Sequence, residues 1–356
     1  EHLLLQLLVM VERQKVLNKI LILLVAVISG AGNCLAETLT IEKTLTIPKF
    51  TIADNVKLGG ISDLISFSDK TFYIITDRGP NGKIQTPEGK FRNLLSPEFK
   101  PRIYKIFWND HFQRFLLADV EYIKGVNGLC TGKPNSVKVK KILNAEGTEA
   151  ITPDIDGVDP EGLVLRNNGE FIITEEYGPS IIYNDTGKRY TPLNQHRDNR
   201  GFEAVALSAD EKYLWTMLQS PVNEEDKTIP FIIFNMQTGK IDRRINYRLE
   251  EDTIDGKICC MRRYDMLDNV LVLEQSDTTP AKLFLFNTKN EKKELFASLE
   301  NILPEMANDI TEGSTEITGL KLEGMDILPD GRIAIVNDND FDEDKNNCLW
   351  ILNIEP

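Results

Sequence analysis

The stretch Asp159-Pro160-Glu161-Gly162-Leu163-Val164-Leu165-Arg166-Asn167-Asn168-Gly169-Glu170-Phe171-Ile172-Ile173-Thr174-Glu175-Glu176-Tyr177-Gly178 reads as one structural unit. An acidic, glycine-containing turn leads into an apolar strand, a polar turn, a second β-branched strand and a pair of carboxylates. The order recurs in Gly59-Gly60-Ile61 through Ile75-Thr76-Asp77, in Gly201-Phe202-Glu203 through Met217-Leu218-Gln219, and in Glu323-Gly324-Met325 through Ile335-Val336-Asn337-Asp338. A degenerate copy runs from Cys260-Met261 to Leu273-Glu274. Copies at this spacing suit four-stranded blades set around one axis. A pair of packed sandwiches supplies short strands too, but gives no reason to restart hairpins on the same acidic turn. The long interval between the units at 60 and 161 leaves room for a further unit among residues 103–108 and 115–120. The expected fold is therefore all-β, a single β-propeller of six or seven four-stranded blades.

The rest of the chain bounds this reading. Fifty-five acidic against forty-one basic residues give a net charge of -14, which opposes nucleic acid and anionic lipid surfaces and suits either solubility or cation binding. Arg13, Lys15 and Lys19 precede an apolar run over residues 20–28, then small residues and Cys34-Leu35-Ala36. This pattern is expected of a secretory signal peptide over residues 1–36, with residues 1–9 an upstream extension before Met10 and Glu37 the mature start. The apolar run is short for a membrane span, and Asn33 disfavours lipoprotein processing at Cys34. Residues 37–356 are then expected to form one exported, monomeric propeller domain, periplasmic or secreted. In that compartment Cys130, Cys259, Cys260 and Cys348 can be disulfides or buried thiols. Helical spacing of Leu295, Phe296 and Leu299 marks residues 291–301 as a helix or a decorated loop.

In a blade, the start of the first strand and the end of the antiparallel second strand share one rim. Glu161, Glu203 and Glu323 stand at starts, and Asp77, Glu175, Glu176, Glu274 and Asp338 at ends, so all are expected at one mouth of the channel. Crowded carboxylates lose hydration and repel unless cations or protons compensate. Calcium, which takes six to eight oxygen ligands without strict geometry, is the expected cofactor. Its candidate ligands are Asp77, Glu161, Glu175, Glu203, Glu323 and Asp338, with Asn339 beside the last. Glu161, Glu176, Arg78 and Arg200 are the catalytic candidates. Arg78, Arg200 and Arg197 can grip a phosphate or carboxylate, or neutralise the rim. Tyr177 either lines the mouth or packs. Glu203 follows Gly201 by two residues where the other clean units place Glu directly before Gly, so its approach to the rim requires a bulge. No G-x-S-x-G, H-E-x-x-H or Walker loop is present, and His111 and His196 lie in no catalytic setting.

Asp159-Pro160-Glu161-Gly162-Leu163, Thr174-Glu175-Glu176-Tyr177-Gly178 and Asn199-Arg200-Gly201-Phe202-Glu203-Ala204 resemble the phytase-like family, often called esterase-like activity of phytase. Ser62-Asp63, Thr76-Asp77-Arg78-Gly79, Glu323-Gly324-Met325 and Asn337-Asp338-Asn339 extend the resemblance over most of residues 55–340. It implies an exported propeller and a calcium-assisted hydrolase of phosphate esters or esters, with a small-molecule substrate. The carry-over reaches Asp77, Glu161, Glu175, Glu176, Glu203, Glu323 and Asp338. The unit from 259 to 274 lacks the acidic start, and basic residues are few for a polyanion as large as phytate. A non-catalytic binding propeller with structural calcium, and a carboxylic ester or lactone hydrolase, are the alternatives.

Overall fold

The computed structural model describes residues 36–356, apart from 54, 55, 137, 138, 252, 319 and 356. The expected signal peptide lies outside the described residues. β1 (Thr38–Ile47) is followed by a small hairpin, β2 (Thr51–Ala53) and β3 (Val56–Lys57). The first blade begins with β4 (Ile61–Ser68) and β5 (Thr71–Thr76). An inserted hairpin, β6 (Asn81–Thr86) and β7 (Gly89–Leu94), comes before β8 (Arg102–Asn109) and β9 (Arg114–Tyr122) complete that sheet. A long loop then carries β10 (Ile142–Leu143), which pairs in parallel with β7.

Three blades follow in simple order. They are β11 (Pro160–Leu165), β12 (Phe171–Glu175), β13 (Ser180–Tyr183) and β14 (Lys188–Tyr190); β15 (Phe202–Leu207), β16 (Tyr213–Leu218), β17 (Thr228–Asn235) and β18 (Lys240–Arg248); and β19 (Lys257–Arg263), β20 (Asn269–Gln275), β21 (Lys282–Asn287) and β22 (Lys293–Ser298). A helix, α1 (Leu303–Ile310), precedes the last blade, β23 (Leu322–Ile327), β24 (Ile333–Asn337) and β25 (Asn347–Glu355). The fourth strand of that blade is β1, paired antiparallel to β25 from Thr38 opposite Glu355 to Ile47 opposite Asn347. The two ends of the described chain thus share one sheet.

The described residues form five four-stranded sheets, not the six or seven expected. The first strands β4, β11, β15, β19 and β23 touch in sequence order, and β23 returns to β4. Residues 103–108 and 115–120 belong to β8 and β9, the outer half of the first blade, rather than to a sixth unit. The hairpin inserted between β5 and β8, with the loop around β10, stretches the interval that suggested one. Residues 291–301 also differ from the expected helix or loop: β22 pairs with β21, and a register shift between Leu283 and Phe284 turns Phe296 and Ala297 inward while Leu295 stays exposed. The helix lies just beyond, with Pro304 in its first turn and Leu303, Met306, Ala307 and Ile310 buried.

Burial follows position in the blade. β12 and β24 are buried along their whole length, because strands near the axis meet a neighbouring blade on each face. Outer strands such as β18 are largely exposed and bury only alternate residues near their end. The apolar clusters accordingly lie between blades, for example Phe231, Ile232, Met261 and Phe286, or Phe72, Ile74, Val336 and Leu349. Cys130, Cys259, Cys260 and Cys348 are all free and buried. No helix among the described residues is long and apolar enough to cross a membrane.

Deeper in the channel the five first strands are tied by one ion pair. Asp63 on β4 accepts from Leu163 N on β11 at 2.7 Å and from Arg262 Nη2 on β19 at 2.6 Å. Arg262 also donates to Leu64 O on β4 and to Val205 O on β15, and its Nε lies 3.4 Å from Asp326 on β23. All five blades converge on these two side chains.

Candidate functional site

One local device repeats in all five blades. The pairing of first and second strands slips between Ile61 and Asp63, Pro160 and Gly162, Phe202 and Ala204, Ile258 and Cys260, and Leu322 and Gly324. The residues passed over are Ser62, Glu161, Glu203, Cys259 and Glu323. A bulge re-aims the side chain it carries, and here it does so at the channel mouth. Glu203 therefore occupies the same position as Glu161 and Glu323. The apparent offset of its glycine is a misalignment, since Ala204 corresponds to Gly162 and Gly201 to Asp159. Gly201 is needed for close approach: a Cβ there would sit 2.1 Å from Glu176 O.

A second row comes from the ends of the second strands. The backbone N–H groups of Asp77, Glu176, Gln219 and Asp338 donate to the carbonyls of Gly60, Asp159, Gly201 and Lys321 at 2.8 to 2.9 Å. One repeat position, two residues before each bulge, is thereby brought to the rim, and it reads Gly60, Asp159, Gly201, Lys257 and Lys321. Three charged residues absent from the expected site stand there. Aligning the units on the bulge rather than on glycine would have found them.

Asp159, Glu161 and Glu176 form the tightest group, each offering one carboxylate oxygen within 4.8 Å of the others. Arg78 is buried beside them. Its Nη2 lies 2.5 Å from Asp159 Oδ2 and 3.2 Å from Glu176 Oε2, and its Nη1 donates to Asn199 Oδ1 at 2.6 Å. The guanidinium lies 5.2 Å from the centre of the Tyr177 ring, and Tyr177 itself packs, donating to Gly132 O at 2.8 Å. One arginine does not balance the group. Loss of hydration, then the charges of Glu203, Asp159 and Glu176, push the Glu161 carboxyl well above its ordinary range. Burial and Asp159 push Glu176 up to about 8 against the pull of Arg78. Burial and Glu323 push Glu203 up as well.

Several of these oxygens are also unsatisfied. Glu176 Oε1, Glu203 Oε2 and Glu323 Oε2 are buried and have no hydrogen-bond partner among the described residues. Buried carboxylate oxygens normally have partners, so this set calls for protons or a cation. An all-oxygen, multiply carboxylate donor set fits calcium. Lys257, 3.5 Å from Glu323, and Lys321, 3.2 Å from Asp338, neutralise the other side of the rim.

The remaining expected residues divide. Asp77 accepts from Gly79 N at 2.7 Å, and burial, then the charges of Asp338 and Asp159, raise its carboxyl well above the ordinary range. Asp338 accepts from Asp340 N and is raised by burial to about 6. Asn339 holds its own loop, accepting from Gly60 N and Phe341 N. Arg200 reaches the rim through Gln219 and pairs with Asp255, while Arg197 pairs with Glu224. The expectation that every strand-end carboxylate crowds the mouth fails at Glu175 and Glu274. Glu175 accepts from Asn135 Nδ2, Tyr177 N, Gly178 N and Ser180 Oγ, which completes its turn. Glu274 pairs with Lys293 and accepts from Tyr247 Oη toward the outer part of the blades. Both are the strand neighbours of rim residues, Glu176 and Gln275, and alternation sends them the other way.

Comparison with known proteins places these motifs. Solved structures with a remote likeness include a luciferin-regenerating enzyme, at 9% identity and a TM-score of 0.43 over 90% of this chain and 97% of that one. A streptogramin B lyase matches at 14% identity and a TM-score of 0.41 over 90% and 98%. No curated protein matches the sequence. The family described as "Phytase-like: Esterase-like activity of phytase" matches residues 56–341, which takes in every bulge and every rim carboxylate described above. The chain belongs to the phytase-like family.

Proposed function

We propose that the protein is an exported, monomeric, calcium-assisted hydrolase of phosphate esters acting at the acidic mouth of a five-bladed propeller. The observation that carries this reading is the group Asp159, Glu161 and Glu176, with carboxylate oxygens within 4.8 Å of one another beside a buried arginine. Asp159, Glu161 and Glu176 would hold the cation, with Glu203 completing the wall. A bound calcium would supply Lewis-acid activation of the ester. Arg78 is locked by Asp159, Glu176 and Asn199, so its buried guanidinium holds these carboxylates in place beside the cation position. Glu176, raised to about 8 in the cation-free site, keeps its proton near neutral pH there and would release it on holding the cation. Outside the cytoplasm a weak calcium site, with Kd of about 10⁻⁴ to 10⁻³ M, is functional.

The test is a panel of phosphomonoesters, phosphodiesters and carboxylic esters offered to residues 37–356, with calcium and with chelator. Phosphate-ester hydrolysis is expected, lost in chelator and reduced at least about a hundredfold in Glu161→Gln. Inactivity on the whole panel together with calcium-dependent thermal stabilisation would replace this reading with a binding propeller. Hydrolysis of carboxylic esters alone would move the substrate class.

A further inference from the structure

The inserted hairpin that breaks the repeat also builds a cleft of the opposite charge. β6, β7 and β10 form a three-stranded sheet, and between it and residues 198–199 lies a cavity of about 350 Å³. Five of its ten lining residues are basic, Lys83, Lys90, Arg92, Lys140 and Lys141, against one acidic residue, Asp198. In a chain with fourteen more acidic than basic residues this is a local reversal of sign. The volume falls in the range of small-molecule sites.

The cations are poorly compensated. Lys141 pairs with Glu88 at 2.9 Å, and Asp198 accepts from the backbone of Lys140 at 3.0 Å. Arg92 donates to the neutral Asn81 Oδ1 at 3.0 Å. Among the described residues the side chains of Lys83, Lys90 and Lys140 make no ion pair. Lys83 and Arg92 are moreover direct partners across the β6–β7 ladder, so their side chains share a face. Like charges directly opposite destabilise a strand pair, and no carboxylate within the hairpin pairs with either of these two among the described residues. The Arg78 charge also holds the Arg92 guanidinium below its usual range, which places the cleft within electrostatic reach of the mouth. Asn199 makes the junction: it lines the cleft, accepts from Arg78, and adopts φ 56°, a left-handed conformation uncommon for a residue other than glycine.

We propose that this cleft is an oxyanion-binding subsite, formed by Lys83, Lys90, Arg92, Lys140 and Lys141, for a distal, multiply charged phosphate or carboxylate group of the substrate. That the anion belongs to a substrate rests on the reading of the mouth as a hydrolytic site; that the cleft binds an anion does not. The lysines supply mobile point charges and Arg92 a planar fork, a combination that accepts oxyanions of either kind.

Calorimetric titration of residues 37–356 in chelator, with pyrophosphate and separately with citrate, tests the anion site without calcium. Saturable binding is expected for at least one, weakened about tenfold in Lys83→Gln/Lys140→Gln and preserved in Glu161→Gln. Both lysines are exposed, so the thermal unfolding of the double variant should match the parent. Pyrophosphate alone points to phosphate, citrate alone to carboxylate, and both to a general oxyanion site. Absence of saturable binding up to about 10 mM, or binding unchanged in the double variant, overturns the proposal. If hydrolysis is found, KM for a substrate with a second anionic group should rise about tenfold in the double variant with kcat held, and KM for a singly charged one should not; equal effects on both overturn the substrate role. Loss of hydrolysis with binding intact would refute the reading of the mouth and leave the cleft standing.

Discussion

Asp63 and Glu203 are both carboxylates buried in the same channel, one residue apart in the repeat, yet they are in opposite chemical states. Asp63, just after its bulge, receives the N–H groups of Leu64 and Leu163 and the guanidinium of Arg262. Glu203, on its bulge, leaves Oε2 without a partner, as does Glu323 in the equivalent place. Burial raises the carboxyl pKa of both Asp63 and Glu203, so that shift does not distinguish them. Saturation of hydrogen bonding does. The inner pair is complete and fastens five strands, whereas the mouth, among the described residues, leaves buried carboxylate oxygens unpaired.

The largest effect should come from breaking the complete region. Asp63→Ala leaves buried Arg262 with only Asp326, 3.4 Å from its Nε, and removal of one member of a buried pair costs about 3–5 kcal/mol. Denaturant unfolding should show that loss, and Asp63→Ala/Arg262→Met should recover part of it because no buried guanidinium remains and Asp326 keeps its bonds from Ser66. A loss below about 1 kcal/mol in the single variant would mean that the pin is redundant with the interblade apolar packing.

The incomplete region should reveal itself through pH. Glu161, Glu176 and Glu203 all have carboxyls raised in the folded state, Glu176 to about 8. A raised carboxyl contributes stability that is fully present below its unfolded pKa near 4.5 and is lost as pH rises through the folded value. Without calcium the protein should therefore become less stable between about pH 5 and 8, by about 2 kcal/mol after allowance for Arg78 and the rim lysines. Calcium should flatten the slope, since a bound cation favours the ionised forms. Thermal or denaturant unfolding across this range, in chelator and in calcium, provides the measurement. A flat profile in chelator would remove the strained cluster.

What could be read from the chain, and what could not, follows the same division. The hairpins near the axis were legible because buried strands are continuous apolar runs punctuated by the same turn. The blade count was not, because β8 and β9 stand apart from β4 and β5 by an insertion that carries its own hairpin. At the mouth, Glu161, Glu176 and Glu323 were readable from position, but glycine was the wrong guide to register. What the structure demands after each bulge is a slim residue near the next blade: a Cβ on Gly162 would lie 2.8 Å from Glu203 O, and one on Gly324 2.8 Å from Asp63 Cα. Ala204, Cys260 and Asp63 fill the same place, so a pattern based on glycine misses them. Arg262 left no local signal at all, because its partners lie on three other strands.

The smallest expected effect is also the one whose sign separates the two regions. Glu203→Gln keeps the side-chain volume and removes one negative charge from a place where Glu323 and Glu176 repel it. If the mouth is an incomplete site, the variant in chelator should be more stable than the parent by about 1 kcal/mol, because a repelled, dehydrated carboxylate has been replaced by a neutral amide. Its pH dependence between about 5 and 8 should shrink accordingly. In calcium the order should reverse, since the parent gains binding free energy that the variant has partly lost, and the calcium-induced rise in melting temperature should be smaller for Glu203→Gln. If Glu203 instead plays the part of Asp63, a completed structural bond, then Glu203→Gln destabilises the protein in chelator and calcium changes nothing. The comparison needs only two proteins and two buffers, and a loss of stability in chelator would place Glu203 with the pin rather than with the mouth.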